Sequence, residues 1–155
     1  MVAQRFFSGT VDTQDVFKVP AELSMIGKRK SAPDFFITSF TGEEVDICPF
    51  TMWQAFEEKV TSLARANNGV AMKFLERARF WGQRVCVGSN GRIPIPSKLR
   101  RAAHIRGKAF AFGSSTLLRL FSPRRFRELF PRISHRRYAA LVRASSVRTL
   151  PENQR

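Results

Sequence analysis

The stretch that decides the fold is Gly91-Arg92-Ile93-Pro94-Ile95-Pro96-Ser97-Lys98-Leu99-Arg100-Arg101. The alternation of Ile93 and Ile95 with other residues predicts a short strand that buries one face. Pro96 suits the first turn of a helix, and Leu99 continues the apolar face at helical spacing. Off that face lie four cations, Arg92, Lys98, Arg100 and Arg101. The stretch therefore predicts a strand and a helix that present these cations to solvent.

The same pattern occurs earlier, so the chain contains two copies of one unit. Val19-Pro20-Ala21-Glu22-Leu23 matches Ile95-Pro96-Ser97-Lys98-Leu99 at an offset of 76 residues, and Trp53 matches Phe126 at an offset of 73. Each copy is predicted to contain two strands, a helix, a hairpin and a closing helix. The first of these helices is predicted from Pro20 to near Gly27. Because one copy is too small to bury its own apolar faces, we expect the two to pair about a pseudo-twofold axis.

These copies divide the chain into four parts and predict an α+β fold with a mainly β core and flanking helices. We assign a first repeat to residues 1–66, a linking helix to 67–81, a second repeat to 82–130 and a basic C-terminal extension to 131–155. The helix that closes the first repeat is predicted from Pro49 to about Ala66. Four residues at helical spacing are expected to form its buried stripe, namely Trp53, Phe56, Val60 and Leu63.

The charge of the chain is concentrated in its second half. Residues 1–75 hold 8 Lys/Arg and 9 Asp/Glu, a net charge of −1, whereas residues 76–155 hold 19 Lys/Arg and 3 Asp/Glu, a net charge of +16. Polyanions are the natural partners of such a field, and few purely metabolic enzymes need one. The alternative is a solvated surface that keeps the protein soluble, but solubility does not require the charge to be segregated.

Residues that could support catalysis or hold a metal form no recognisable constellation. Cys48 and Cys86 belong to no CxxC pair, and we expect free, mostly buried thiols in a reducing cytoplasm. His104 and His135 have no ligand partners at metal-site spacing. No apolar run approaches the length of a membrane span. We therefore expect no enzymatic activity, catalytic residue, cofactor, metal, small-molecule substrate or membrane partner.

The repeated unit resembles the core of a known protein family. The stretch at residues 91–101 resembles the GR-x-x-IP-x-x-LRR core of the SpoVT/AbrB swapped-hairpin DNA-binding family. Two such units, each closed by a helix with an aromatic residue such as Trp53 or Phe126, are similar to the MraZ family over about residues 5–130. The resemblance implies one barrel-like core formed by two swapped-hairpin repeats. It also implies a cytoplasmic, nucleoid-associated transcriptional regulator that assembles into a ring-like homo-oligomer.

The resemblance implies a DNA target as well: short direct repeats in promoter DNA upstream of the division and cell-wall gene cluster. In that family each repeat carries a D-x-x-x-R signature, and the segments that bear the arginines contact double-stranded DNA. Here the first repeat keeps Asp12 but has Val16 at the Arg position, and the second keeps Arg92 but has Gly88 at the Asp position. We therefore expect the first repeat to act mainly as a scaffold.

By matching position, DNA contact is implied for three arginines of the second repeat, and other cations join them as weaker candidates. The basic loop of the first repeat is either a second phosphate contact or a solvated loop, and Lys98 is either a contact or an ordinary helix-surface residue. Arg84 either flanks the surface of Arg92 or lies apart from it. The full candidate set is Arg92, Arg100, Arg101, Lys98, Arg84, Lys18, Lys28, Arg29 and Lys30.

Two other functions stay open at this point. The first is a nucleic-acid-binding protein without sequence preference, in which the arginines of the C-terminal extension contact phosphates. The second is a MraZ-like subunit that co-assembles with another protein, since a mixed ring would restore the missing arginine contacts.

Overall fold

The computed structural model describes residues 5–12, 14, 16–18, 34–87, 91–113, 116–131 and 135–145. These residues form an eight-stranded antiparallel sheet and the helices that flank it. The strands are β1 (Arg5–Val11), β2 (Val16–Lys18), β3 (Asp34–Thr38), β4 (Glu44–Pro49), β5 (Gln83–Cys86), β6 (Arg92–Pro94), β7 (Gly107–Gly113) and β8 (Leu118–Phe121). The helices are α1 (Phe50–Arg65), α2 (Gly69–Trp81), α3 (Ser97–Ala102), α4 (Pro123–Leu129) and α5 (His135–Ser145). The helix predicted after Pro20 lies outside the described residues.

The two repeats exchange strands. The order across the sheet is β5-β3-β4-β8-β7-β1-β2-β6. Thus β1 of the first repeat pairs with β7 of the second, and β5 of the second repeat pairs with β3 of the first. The outer strands β5 and β6 also approach each other, which nearly closes the sheet into a barrel. The predicted fold class, an α+β fold with a swapped, mainly β core, is confirmed.

The strand registers show the expected pseudo-twofold axis. In the β2–β6 pair, Phe17 lies opposite Ile93, and these residues occupy equivalent positions at the 76-residue offset. In the β4–β8 pair, Asp46 lies opposite Arg119, which is its equivalent at the 73-residue offset. An axis that exchanges the repeats must pass through both pairs, because each member is the counterpart of the other.

The core lies inside the nearly closed sheet and is built from both repeats. Its fully buried large side chains are Phe17, Ile37, Val45, Ile93, Leu99, Ile105 and Leu120. Ile93, Ile95 and Leu99 all belong to this cluster, as the alternation in the opening stretch predicts. Burial of each such side chain contributes about 1.5–3 kcal/mol relative to an exposed position. The strand–helix segment is therefore held in place by the shared interior.

The buried stripe predicted for α1 is only half correct. Trp53 is buried and stacks on Phe36 of β3, and Val60 packs against α2. Phe56 and Leu63, however, are 43% and 53% exposed. Only the start of α1 lies on the sheet, and α2 covers one side of the rest, so half of the apolar positions stay open. Among the described helices, none has the length and apolar character needed to cross a lipid bilayer.

Candidate nucleic-acid interface

The paired strands β2 and β6 form a short ribbon whose outer face carries two of the predicted contact residues. The central pair, Phe17 and Ile93, points into the core. Because side chains alternate along a strand, the neighbours of this pair point outward. On that outer face Lys18 lies directly opposite Arg92, and both residues are exposed. We call Lys18 and Arg92 the cationic end of the ribbon.

The other end of the ribbon carries no charge. There the register places Val16 opposite Pro94. The outer face is thus asymmetric, although the backbone that presents it is close to twofold symmetric. Like charges that face each other across a strand pair destabilise it, so the cationic end needs a compensating anion.

Asp12 supplies that anion. It follows the last residue of β1, and its Oδ2 atom forms an ion pair with the guanidinium of Arg92. Its Oδ1 atom accepts hydrogen bonds from the backbone N–H groups of Gln14 and Val16, at 2.9 and 3.0 Å. The bond from Val16 contributes most to lowering the pKa of Asp12, and Gln14 and Arg92 lower it further against the opposing effect of desolvation. The carboxylate is therefore ionised and fixed in position.

Helix α3 follows the ribbon directly and adds the two remaining family-implied arginines. Leu99 and Ala103 are buried and fix the helix to the core. Arg101 is exposed, whereas Arg100 is half-buried. The fork of Arg101 is thus the more accessible of the two for an external partner.

Lys98 is held at the end of α2. Its Nζ atom lies 3.4 Å from the ring centroid of Phe80 and 5.3 Å from that of Trp81. It also donates a hydrogen bond to the backbone carbonyl of Phe80 at 3.4 Å. These contacts give Lys98 a role in joining α3 to α2, whether or not it also contacts a ligand.

Arg84 is placed on a different strand pair from Arg92. It lies on β5, donates to Asp34 of β3 at 2.9 Å from Nε to Oδ2, and stacks over the ring of Phe50 at the start of α1. Its position on the same surface as Arg92 stays a prediction. The basic loop of Lys28, Arg29 and Lys30 lies outside the described residues.

The arginines of the C-terminal helices fall into two groups. On α4, Arg124 and Arg125 both pair with Glu128, and Arg125 also pairs with Glu43. On α5, Arg136 and Arg143 are exposed. The surplus positive charge in the second half of the chain is thus partly neutralised on α4 and exposed to solvent on α5.

The pKa values of the two cysteine thiols are both raised, for different reasons. Burial, with a further contribution from the charge of Asp46, raises the pKa of Cys48 to about 12. The expectation of a mostly buried thiol is wrong for Cys86, which is exposed because its side chain points outward from the edge strand β5. Its thiol donates to Asp34, and this bond raises its pKa. Within the described part of the chain, no group of three or more His, Cys, Asp or Glu side chains is placed to hold a metal.

Asp12 is the functional candidate that the sequence reasoning missed. In the sequence it is half of an incomplete signature with no partner nearby, because Arg92 lies 80 residues away. A signal was nevertheless present. Once the repeats are expected to pair about a twofold axis, the two copies of the signature, residues 12–16 and 88–92, are expected to lie near each other.

No protein-family model matches the chain. It is similar to two curated proteins that both carry the name "Transcriptional regulator MraZ". The one from Acidobacterium capsulatum is 30% identical over 118 residues, which covers 76% of this chain and 80% of the relative. The one from Koribacter versatilis is 34% identical over 104 residues, which covers 66% of this chain and 70% of the relative. Together with the swapped, nearly closed sheet, these similarities show that the chain belongs to the MraZ family of transcriptional regulators.

Proposed function

We propose that this chain is a DNA-binding transcriptional regulator that reads double-stranded DNA through the cationic end of the ribbon and α3. The observation that carries the proposal is the pairing of Lys18 with Arg92 on an exposed face, with Asp12 fixed beside them. The names of the two relatives and the net charge of +16 in the second half of the chain support it.

The chemistry of these side chains suits a nucleic acid. An arginine fork donates two hydrogen bonds in one plane, which matches a phosphate or the major-groove edge of guanine. Lysine adds a point charge for the backbone. Because Ile93 and Leu99 anchor the ribbon and α3 in the core, Arg92 and Arg101 start from a rigid base.

The finer features of the proposal come from the family resemblance. The DNA target consists of short direct repeats, and these repeats lie in the promoter of the division and cell-wall gene cluster. The chain forms a ring-like homo-oligomer and is located at the nucleoid in the cytoplasm. We keep the division of the chain at residues 66, 81 and 130 as part of this proposal. A ring would bring several cationic ends to one duplex, which suits repeated sites. The mass of the native assembly, measured alone and from cells, tests the homo-oligomer against co-assembly with another protein.

Selection of bound duplexes from a random pool tests the target, and two matched variants test the surface. Arg92→Ala and Arg143→Ala each remove one exposed arginine, the first from the ribbon and the second from α5. We expect both variants to bind random duplex slightly more weakly than the wild type. Only Arg92→Ala should lose preference for the selected site, by about tenfold, the value of one good base contact. Unchanged preference in Arg92→Ala would contradict the assignment of the surface.

Binding without sequence preference is a second candidate, and the exposed arginines of α5 favour it. Competition by random duplex at about 0.2 M salt separates the two, because phosphate contacts weaken steeply with salt. A specific regulator should retain a preference of about 10³ or more under these conditions. Loss of all preference would favour the second candidate.

A further inference from the structure

We infer that Asp12 is the positioning residue of Arg92, and that Asp12, Arg92 and Lys18 form one composite reading unit built from both repeats. The inference rests on the proposed function, because it concerns how the same surface reads DNA. It also changes the interpretation of the two incomplete signatures. They are one intact unit and one lost unit, and the halves of the intact unit lie in different repeats.

The intact unit has a fixed geometry. The Oδ1 atom of Asp12 is occupied by two backbone N–H groups within the turn between β1 and β2, and its own backbone N–H donates to the carbonyl of Val16 at 3.0 Å. Oδ2 is left to face the guanidinium of Arg92. Lys18 lies opposite Arg92 in the strand register. The carboxylate thus ties one repeat's turn to the other repeat's strand.

The pseudo-twofold axis identifies the positions that an equivalent second unit would occupy. The operation that exchanges Phe17 and Ile93 relates position 12 to position 88 and position 92 to position 16. The sequence has Gly88 and Val16 at those positions, and neither side chain carries a charge. Both members of one ion pair are therefore absent, whereas both members of the other are kept.

A fixed carboxylate has a specific consequence for reading. The ion pair with Asp12 offsets the like charge of Lys18 on the opposite strand and limits the rotamers open to the Arg92 side chain. A guanidinium held by a fixed carboxylate is presented in a defined direction, as bidentate recognition requires. Since this unit stands at one end of the ribbon only, each chain contacts DNA with a defined polarity.

The inference is tested with Asp12→Asn, which removes the negative charge but keeps a side-chain oxygen for the turn. The control is Glu57→Gln, which removes one negative charge from an exposed pair with Arg79 on α1 and α2. Both variants gain one unit of net charge, so both should bind random duplex equally well or slightly more tightly. Only Asp12→Asn should lower the ratio of selected-site to random-duplex affinity, by about tenfold if the positioned Arg92 makes one base contact.

A double-mutant cycle separates positioning from a general structural effect. A residue that acts through Arg92 has nothing to position in Arg92→Gln, so Asp12→Asn should change the ratio no further in that background. An additional loss there would show that Asp12 acts through the fold and would overturn the inference. An unchanged ratio of selected-site to random-duplex affinity in Asp12→Asn would overturn the inference as well, even if the variant bound both duplexes more tightly.

A failure of the proposed function can be distinguished from a failure of the composite reading unit. If the wild type shows no preference for any selected duplex, the regulator proposal itself is wrong. If the wild type shows the preference and Asp12→Asn keeps it in full, the regulator proposal stands and the composite unit is wrong.

Discussion

Replacement of Arg119 by methionine would leave a buried carboxylate without its partner on the pseudo-twofold axis. Arg119 donates to the two oxygens of Asp46 at 2.5 Å from Nε and 2.9 Å from Nη2, and the Asp46 side chain is only 2% exposed. Loss of one member of a buried pair costs about 3–5 kcal/mol. Because the Arg119 side chain is 38% exposed, water can reach Asp46 in the variant. We therefore expect a loss of about 2–3 kcal/mol at pH 7.

The loss should depend on pH with a defined sign. Burial already raises the pKa of Asp46, and the Arg119 fork opposes that shift. Without the fork, the pKa in the folded state rises further above the unfolded value, so the folded variant binds more protons than its unfolded chain. Stability of the variant relative to the wild type must then recover as pH falls and Asp46 becomes neutral.

Urea unfolding followed by tryptophan fluorescence at pH 7 and pH 5 measures both effects. The matched control is Arg124→Met, which breaks an exposed pair with Glu128 and should cost at most about 0.5 kcal/mol. A loss below about 1 kcal/mol for Arg119→Met at pH 7 would refute the reasoning, given the value expected for a buried pair. An equal loss at both pH values would refute the assignment of that loss to an ionised Asp46.

Three further predictions concern stability and are checked by the same unfolding assay. Gly9→Ala places a Cβ atom 2.5 Å from the buried ring of Phe17, so it should cost about 1–3 kcal/mol, whereas Gly69→Ala, with open space around it, should cost nothing. Asn68→Ala removes the side-chain oxygen that accepts the N–H groups of Val70 and Ala71 at the start of α2, and should cost about 1 kcal/mol. Burial disfavours the ionised form of Glu44, but the hydrogen bonds from Thr41, Phe40 and Ser39 outweigh this effect and lower its pKa below the usual 4.5. The stability that wild type has over Glu44→Gln at pH 7 should therefore shrink as pH falls below about 4.5, and a constant difference would contradict this assignment.

Much of the fold could be predicted because its elements are locally encoded. The alternation around Ile93 predicts β6, and Pro96 and Leu99 predict α3. These signals depend on residues that are neighbours in the chain, where backbone preference and burial pattern agree.

The rest depends on contacts between distant residues. Nothing near Asp12 in sequence indicates that Arg92 will face it, and nothing near Phe56 indicates that α2 will leave it exposed. The exposure of Cys86 likewise follows from the position of β5 at the edge of the sheet. The repeated sequence predicts that the two halves of the chain pair, but only the strand register shows which side chains lie opposite each other.

The exchange of strands also dictates an order of events during synthesis. β1 leaves the ribosome first, yet its partner is β7, and Arg5 pairs with Gly113. The first strand must therefore wait, unpaired on that edge, until most of the chain has emerged. The barrel can therefore be completed only after β7 has been synthesised. A truncated product that stops before residue 107 would expose that strand edge for pairing with other chains.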